Sequence, residues 1–157
     1  MEKKESARLR TARAWIDVFT TLDPSPLHAI LSPTYQQTYG PNTLASIGIG
    51  PYDKAGFIAY VSNLSNRMTS FIVTVDEIID SESSNAVCAW TNTDARFRKE
   101  VTDGETWEYR GQSLLMFWFD GEGRIERCME VVDSKKTLDE LLPLFAKAKV
   151  NWEGVGE

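Results

Sequence analysis

One histidine, His28, and two cysteines, Cys88 and Cys128, are all the imidazole and thiol that these 157 residues offer. A zinc or iron centre of the usual kind needs several imidazoles at ligand spacing, and no carboxylate cluster stands in for them, so no metal is expected. The cysteines lack C-x-x-C spacing and each lies in an apolar run, which points to reduced core thiols rather than a disulfide. Basic charge is also scarce. With 17 Lys and Arg against 23 Asp and Glu, the net charge is −6 and the pI near 4.9. No Lys/Arg stripe follows the first ten residues, which argues against a nucleic-acid partner or an anionic membrane. No apolar run approaches the roughly 18 residues of a membrane span, and "MEKKESARLR" has no apolar signal-peptide centre. A soluble, cytoplasmic protein is therefore expected. "GIGPYDKAG" completes neither a dinucleotide fingerprint nor a P-loop, and no Ser or Cys stands in a nucleophile elbow. No cofactor is expected.

What is present is apolar and aromatic: 42% of residues are hydrophobic and 11% aromatic, enough for the core of a single domain over residues 1–157. From about Glu5 to Leu22, the residues Leu9, Ala12, Trp15, Ile16 and Phe19 recur at helical spacing, and "DPSP" ends the run. A helical turn at "PLHAIL" follows, and the Gly, Pro, Ser and Thr of "SPTYQQTYGPNTLASIGIGP" read as an irregular loop. Asp53 caps a second helix that carries Phe57, Ile58, Val61, Leu64 and Met68. The period then becomes two. Residues 71–79, 85–98, 106–120 and 124–133 read as four strands joined by short turns, an antiparallel meander. "SKKTLDELLPLFAKAK" is a last helix that Pro143 should bend. The predicted class is α+β: N-terminal helices packed on a curved antiparallel sheet, a C-terminal helix, and a conical cavity suited to a small molecule.

The strand "RCMEVVDS" poses the chemical question. Glu130 sits among Cys128, Met129, Val131 and Val132, where an unpaired carboxylate costs several kcal/mol. It is either half of an ion pair with Arg110 or Arg127, or an acid/base in a cavity; strand parity alone does not decide which way it points. In the preceding strand, Tyr109, Ser113, Leu115 and Phe117 share the face expected to meet the helices. In the strand over 85–98, Ala86, Cys88, Trp90, Asn92 and Asp94 form a face that begins apolar and turns polar, the pattern of a cavity wall. His28 is either a satisfied core or capping histidine or a proton carrier.

The order helix, loop, helix, four-stranded meander and tail helix, with "PYDKAGFIAYVSNL", "FIVTVDEIIDSESSNAVCAW", "YRGQSLLMFWFDGEGRI" and "MEVVDS", resembles the nuclear-transport-factor-2-like or SnoaL-like cone-fold proteins. The resemblance covers about residues 6 to 147 and is strongest to small fungal isomerases and cyclases of natural-product pathways. In those relatives the final strand carries a carboxylate three residues before an aspartate that leads into the last helix; Glu130 and Asp133 fit. Their preceding strand often reads Tyr-x-x-x-Tyr, where Tyr109 matches and Ser113 replaces the second. Their loop after the first helix supplies a polar group, for which Tyr35, Gln37 and Tyr39 are candidates.

The resemblance implies a cofactor-independent isomerase or cyclase acting on a polycyclic secondary-metabolite intermediate. Dehydration, epoxide opening, or a non-catalytic ligand-binding or dimerising role are the alternatives on the same fold. In the main reading Glu130, Tyr109 and His28 are catalytic, and Tyr39, Trp90, Asn92, Asp94, Ser113 and Phe117 bind the substrate. Met116 and Trp118 on the outer sheet face predict a homodimer through the sheet.

Overall fold

The computed structural model describes residues 4–155; residues 1–3 and 156–157, which the single-domain reading also included, lie outside the described residues. Helix α1 (Ala7–Thr21) starts at Ser6, whose hydroxyl accepts from the Leu9 N–H at 3.1 Å. It stops where Leu22 turns left-handed, at φ 56°. Its Ala12, Trp15, Ile16 and Phe19 form the buried stripe that the helical spacing predicts. Next come α2 (Leu27–Ile30), β1 (Leu31–Gly40), α3 (Asn42–Ser46), β2 (Tyr52–Asp53) and α4 (Lys54–Leu64), the last capped by Asp53 accepting from the Gly56 N–H at 2.7 Å. Strands β3 (Met68–Ser81) and β4 (Ala86–Phe97), a turn of helix α5 (Lys99–Thr102), then β5 (Tyr109–Phe119) and β6 (Ile125–Val132) complete the sheet. The tail comprises α6 (Ser134–Lys136), a π-helical turn over Thr137–Leu141, and α7 (Leu142–Gly154).

The six strands run in the order β2-β1-β6-β5-β4-β3. The meander β3–β4–β5–β6 is antiparallel throughout, as the short turns require. Two expectations are corrected. The stretch read as a loop contains β1, which pairs parallel to β6, so the sheet is mixed rather than wholly antiparallel. Met68 opens β3 instead of closing the second helix. Pro143 lies just after the π-helical turn, inside a helical run that continues from Ser134 to Gly154, with Lys136, Leu141 and Leu142 all in right-handed helical geometry. Bulges between Val75 and Glu77 in β3 and at Glu126 in β6, opposite Trp118 and Phe119, locally increase twist and curve the sheet.

Helices α1 and α4 cover the inner face of that curved sheet. Trp15 stacks on Phe57 with centroids 5.6 Å apart and meets Phe117 edge-on at 5.2 Å, joining α1, α4 and β5 in one aromatic core. Both cysteines are free; Cys128 is fully buried, while Cys88 is partly exposed on the outer face. Among the described residues no helix is long and apolar enough to cross a membrane.

Candidate active site

Between the sheet and its covering helices lies a cavity of about 190 Å³. Trp15 and Phe19 from α1, Tyr60 and Leu64 from α4, and Phe145 from α7 make most of its roof and sides. The π-helical turn adds Thr137 and Leu141; such turns recur at functional sites because the extra residue re-aims side chains.

The direction of Glu130 is decided by a bulge. Trp118 pairs with Arg127 and Phe119 with Ile125, so Glu126 is the extra residue in β6. Ile125 faces inward, Glu126 and Arg127 are both exposed, and Cys128 returns to the core. Glu130, two residues on, therefore points into the cavity.

There its Oε1 accepts a hydrogen bond from Ser113 Oγ at 2.9 Å, diagonally across β5. Among the described residues no cation pairs with it. Arg127 lies over the Trp118 ring at 3.7 Å on the outer face, and Arg110 is also exposed there, so the ion-pair reading fails. Removal from water raises the Glu130 pKa above the usual carboxylate value, and the Ser113 hydrogen bond offsets this in part. Glu130 as a residue is half-buried and lines the cavity.

Tyr109 reaches the same cavity by folding along its own strand. A Cβ on Gly111 would stand 2.5 Å from the Tyr109 hydroxyl, so the phenol occupies the space that the missing side chain leaves. Burial raises its pKa, the Thr137 hydroxyl works against that, and the charges of Asp133, Glu140 and Glu130 add to it.

No family model matches the chain. A curated relative, core atranone cluster protein 11 of Stachybotrys chlorohalonatus, is 22% identical over 129 residues, covering 82% of this chain and 90% of that protein. The solved structure of BvnE pinacolase from Penicillium brevicompactum superposes with a TM-score of 0.73 at 15% identity, over 96% of this chain and 95% of that one. An NTF2-like protein of unknown function from Burkholderia pseudomallei gives 0.68 at 17% identity, over 87% and 98%. The chain has the NTF2-like, SnoaL-like cone fold.

Inside the cone, four of the sequence-predicted site residues come together: Glu130, Tyr109, Ser113 and Tyr39 all line the cavity. Tyr39 stands beside Glu130, its register partner across the parallel β1–β6 pair. The other five do not join them. Phe117 is fully buried in the aromatic core rather than against the cavity.

Trp90, Asn92 and Asp94 occupy the outer face of β4, the opposite parity from Thr91 and Thr93, which form the actual wall. Trp90 is 42% exposed there. Asn92 bonds Asp76 and accepts from Gln112 at 3.1 Å, and Asp94 pairs with Arg96 at 2.7 Å. Both faces of β4 grade from apolar to polar, so the trend could not distinguish them. His28 is exposed on α2, where its carbonyl accepts from Lys54 Nζ at 2.9 Å; it is neither a core histidine nor part of the cavity.

Of the former loop candidates, Tyr35 and Gln37 are core residues. Trp15 Nε1 donates to the Tyr35 hydroxyl, which donates to Gln37 Oε1. Tyr52 and Tyr60, absent from the sequence-based list, line the cavity. Tyr60 was findable: it lies between Phe57 and Leu64 at helical spacing, on the stripe α4 buries. Among the described residues no group of His, Cys, Asp or Glu is arranged to hold a metal ion.

Proposed function

We propose that this protein is an acid/base catalyst that isomerises or cyclises an apolar, polycyclic natural-product intermediate without a cofactor. The observation that carries this reading is Glu130: a lone carboxyl in an apolar cavity, bonded to Ser113 and unpaired with any cation. A carboxyl whose pKa is raised toward neutrality is suited to give and take a proton in one cycle. In this mechanism Glu130 transfers the proton, Tyr109 donates to the oxygen on which negative charge develops, and the aromatic walls hold the reactive conformer. At about 190 Å³ the cavity is below the ~300–1,000 Å³ of drug-sized ligand sites, so a compact fused-ring substrate fits better than an extended one.

The test uses a producing strain from which the gene has been deleted. Its accumulated intermediate, incubated with purified protein in buffer alone, should become a product of unchanged mass. A product heavier by one water would place the reaction with epoxide-opening hydrolysis, and one lighter by one water with dehydration. No conversion would leave the non-catalytic ligand-binding reading in its place.

The outer sheet face supports a second proposal, a homodimer through the sheet. Trp90 and Ile79, on neighbouring strands, are 42% and 57% exposed, and Leu114 and Met116 of β5 pair with Trp90 and Cys88 on that face. Light scattering should give twice the chain mass at micromolar concentration; a monomer mass would end this proposal.

A further inference from the structure

The chain has five tyrosines, and the structure gives them different duties. The Tyr35 hydroxyl is occupied by Trp15 and Gln37. That of Tyr109 lies over Gly111 beside Thr137. The other three, Tyr39, Tyr52 and Tyr60, form one array. Tyr39 meets Tyr52 edge-on at 6.2 Å, and Tyr52 stacks on Tyr60 at 5.3 Å.

The array is built by the chain's path. β2 lays Tyr52 against β1 through the Gln37–Tyr52 register pair, and α4 begins directly after and carries Tyr60. Gly50, at φ +65°, leaves room for the Tyr39 ring, which a Cβ there would approach to 2.9 Å.

All three rings line the cavity that holds Glu130. Among the described residues, none of their three hydroxyls has a hydrogen-bond partner in the protein. The three residues are only partly buried, and their hydroxyls are not among the buried polar atoms left without a partner, so they stay accessible and unpaired, a donor surface open to an acceptor in the cavity. Among the described residues the cavity walls contain no Lys, Arg or His to receive an anion, and Glu130, when ionised, repels one.

We propose that Tyr39, Tyr52 and Tyr60 form the oxygen-recognising face of the cavity, binding a carbonyl or hydroxyl oxygen of an uncharged ligand, and that the cavity rejects anionic ligands. This rests on the reading of the cavity as a ligand site. It adds which side of the cavity orients the ligand and what charge class enters: the ligand's oxygenated edge lies toward β1, β2 and α4.

Three bicyclic probes of matched shape test it by calorimetry or ligand-observed NMR at pH 8: methylnaphthalene, acetylnaphthalene and naphthoate. Acetylnaphthalene should bind about tenfold or more tightly than methylnaphthalene, from one or two added hydrogen bonds, and naphthoate should bind more weakly than either. Replacing the three tyrosines with phenylalanine keeps the rings and removes the donors. That variant should bind methylnaphthalene as before and lose the acetyl preference; the single Tyr60→Phe change, milder for folding, should lose part of it. If the hydrocarbon binds and the acetyl group adds nothing, or the preference survives in the variants, the phenol assignment is wrong while the cavity stands as a ligand site. If naphthoate binds best, the charge-class assignment is wrong. If no probe binds at all, the ligand-site reading fails and this proposal fails with it.

Discussion

Glu130→Gln separates a cavity acid from a structural carboxylate through stability alone. The substitution keeps the side chain's size and leaves an amide oxygen to accept from Ser113 Oγ, now 2.9 Å from the carboxylate. It strands no cation, since Arg127 is stacked on Trp118 and Arg110 is exposed on the far side of the sheet. Burial raises the Glu130 pKa above the ordinary carboxylate value.

A carboxyl whose folded pKa lies above its unfolded one binds more protons in the native state, so stability falls as pH rises from the unfolded value through the folded value, then levels off. For a chain of this size every 1 kcal/mol moves the melting temperature by about 2–4 °C. The variant should therefore melt close to wild type near pH 4 and above it at pH 8, with the gap opening between. Differential scanning fluorimetry across that range reads this directly. Had Glu130 been half of a buried ion pair, the change would cost about 3–5 kcal/mol and lower the melting temperature on the order of ten degrees at pH 8. That outcome would refute the reasoning.

Ser113→Ala removes the hydrogen bond that favours the ionised carboxyl, so the Glu130 titration followed by NMR should move to higher pH than in wild type; no movement would show that the bond does not control ionisation. Gly111→Ala places a Cβ where the Tyr109 ring lies; the phenol should be displaced, and conversion of the accumulated intermediate should fall to the level of Tyr109→Phe. His28→Ala should leave both melting temperature and conversion unchanged, because the side chain is exposed and outside the cavity; a large loss of either would return His28 to the site. Trp90→Asp on the exposed sheet face should leave folding intact and halve the mass seen by light scattering, if the dimer forms as proposed.

Elements legible in the sequence are those whose signal is local. α1 shows its stripe and its stop, Asp53 marks the start of α4, and the alternation in β5 correctly sends Tyr109, Ser113 and Phe117 inward. β1 was hidden because its partner β6 lies far along the chain and its own Pro, Gly, Ser and Thr resemble a loop. Tyr39, though picked by resemblance, could not be set beside Glu130 without that pairing.

Glu130 was legible as an oddity and illegible as a direction, since the extra residue at Glu126 shifts the parity by one. β4 misled for a different reason. Its outer face is apolar at Ala86, Cys88 and Trp90, and the sequence carries no mark of which apolar face meets helices and which faces outward. Phe117 was placed inward correctly, but distinguishing core from cavity requires knowing that Trp15 fills the space above it.

The central claim is that Glu130 moves protons on a ligand held in this cavity. It is tested most directly by mass spectrometry of β-tetralone, a compact bicyclic ketone, incubated with the protein in deuterium oxide near neutral pH. Wild type should load deuterium at the carbons beside the carbonyl faster than Glu130→Gln, by about 10²- to 10⁴-fold, the usual worth of general acid/base catalysis. Equal rates for wild type and the Glu130→Gln protein, both folded and both binding the ketone, would contradict the assignment of Glu130 as the acid/base.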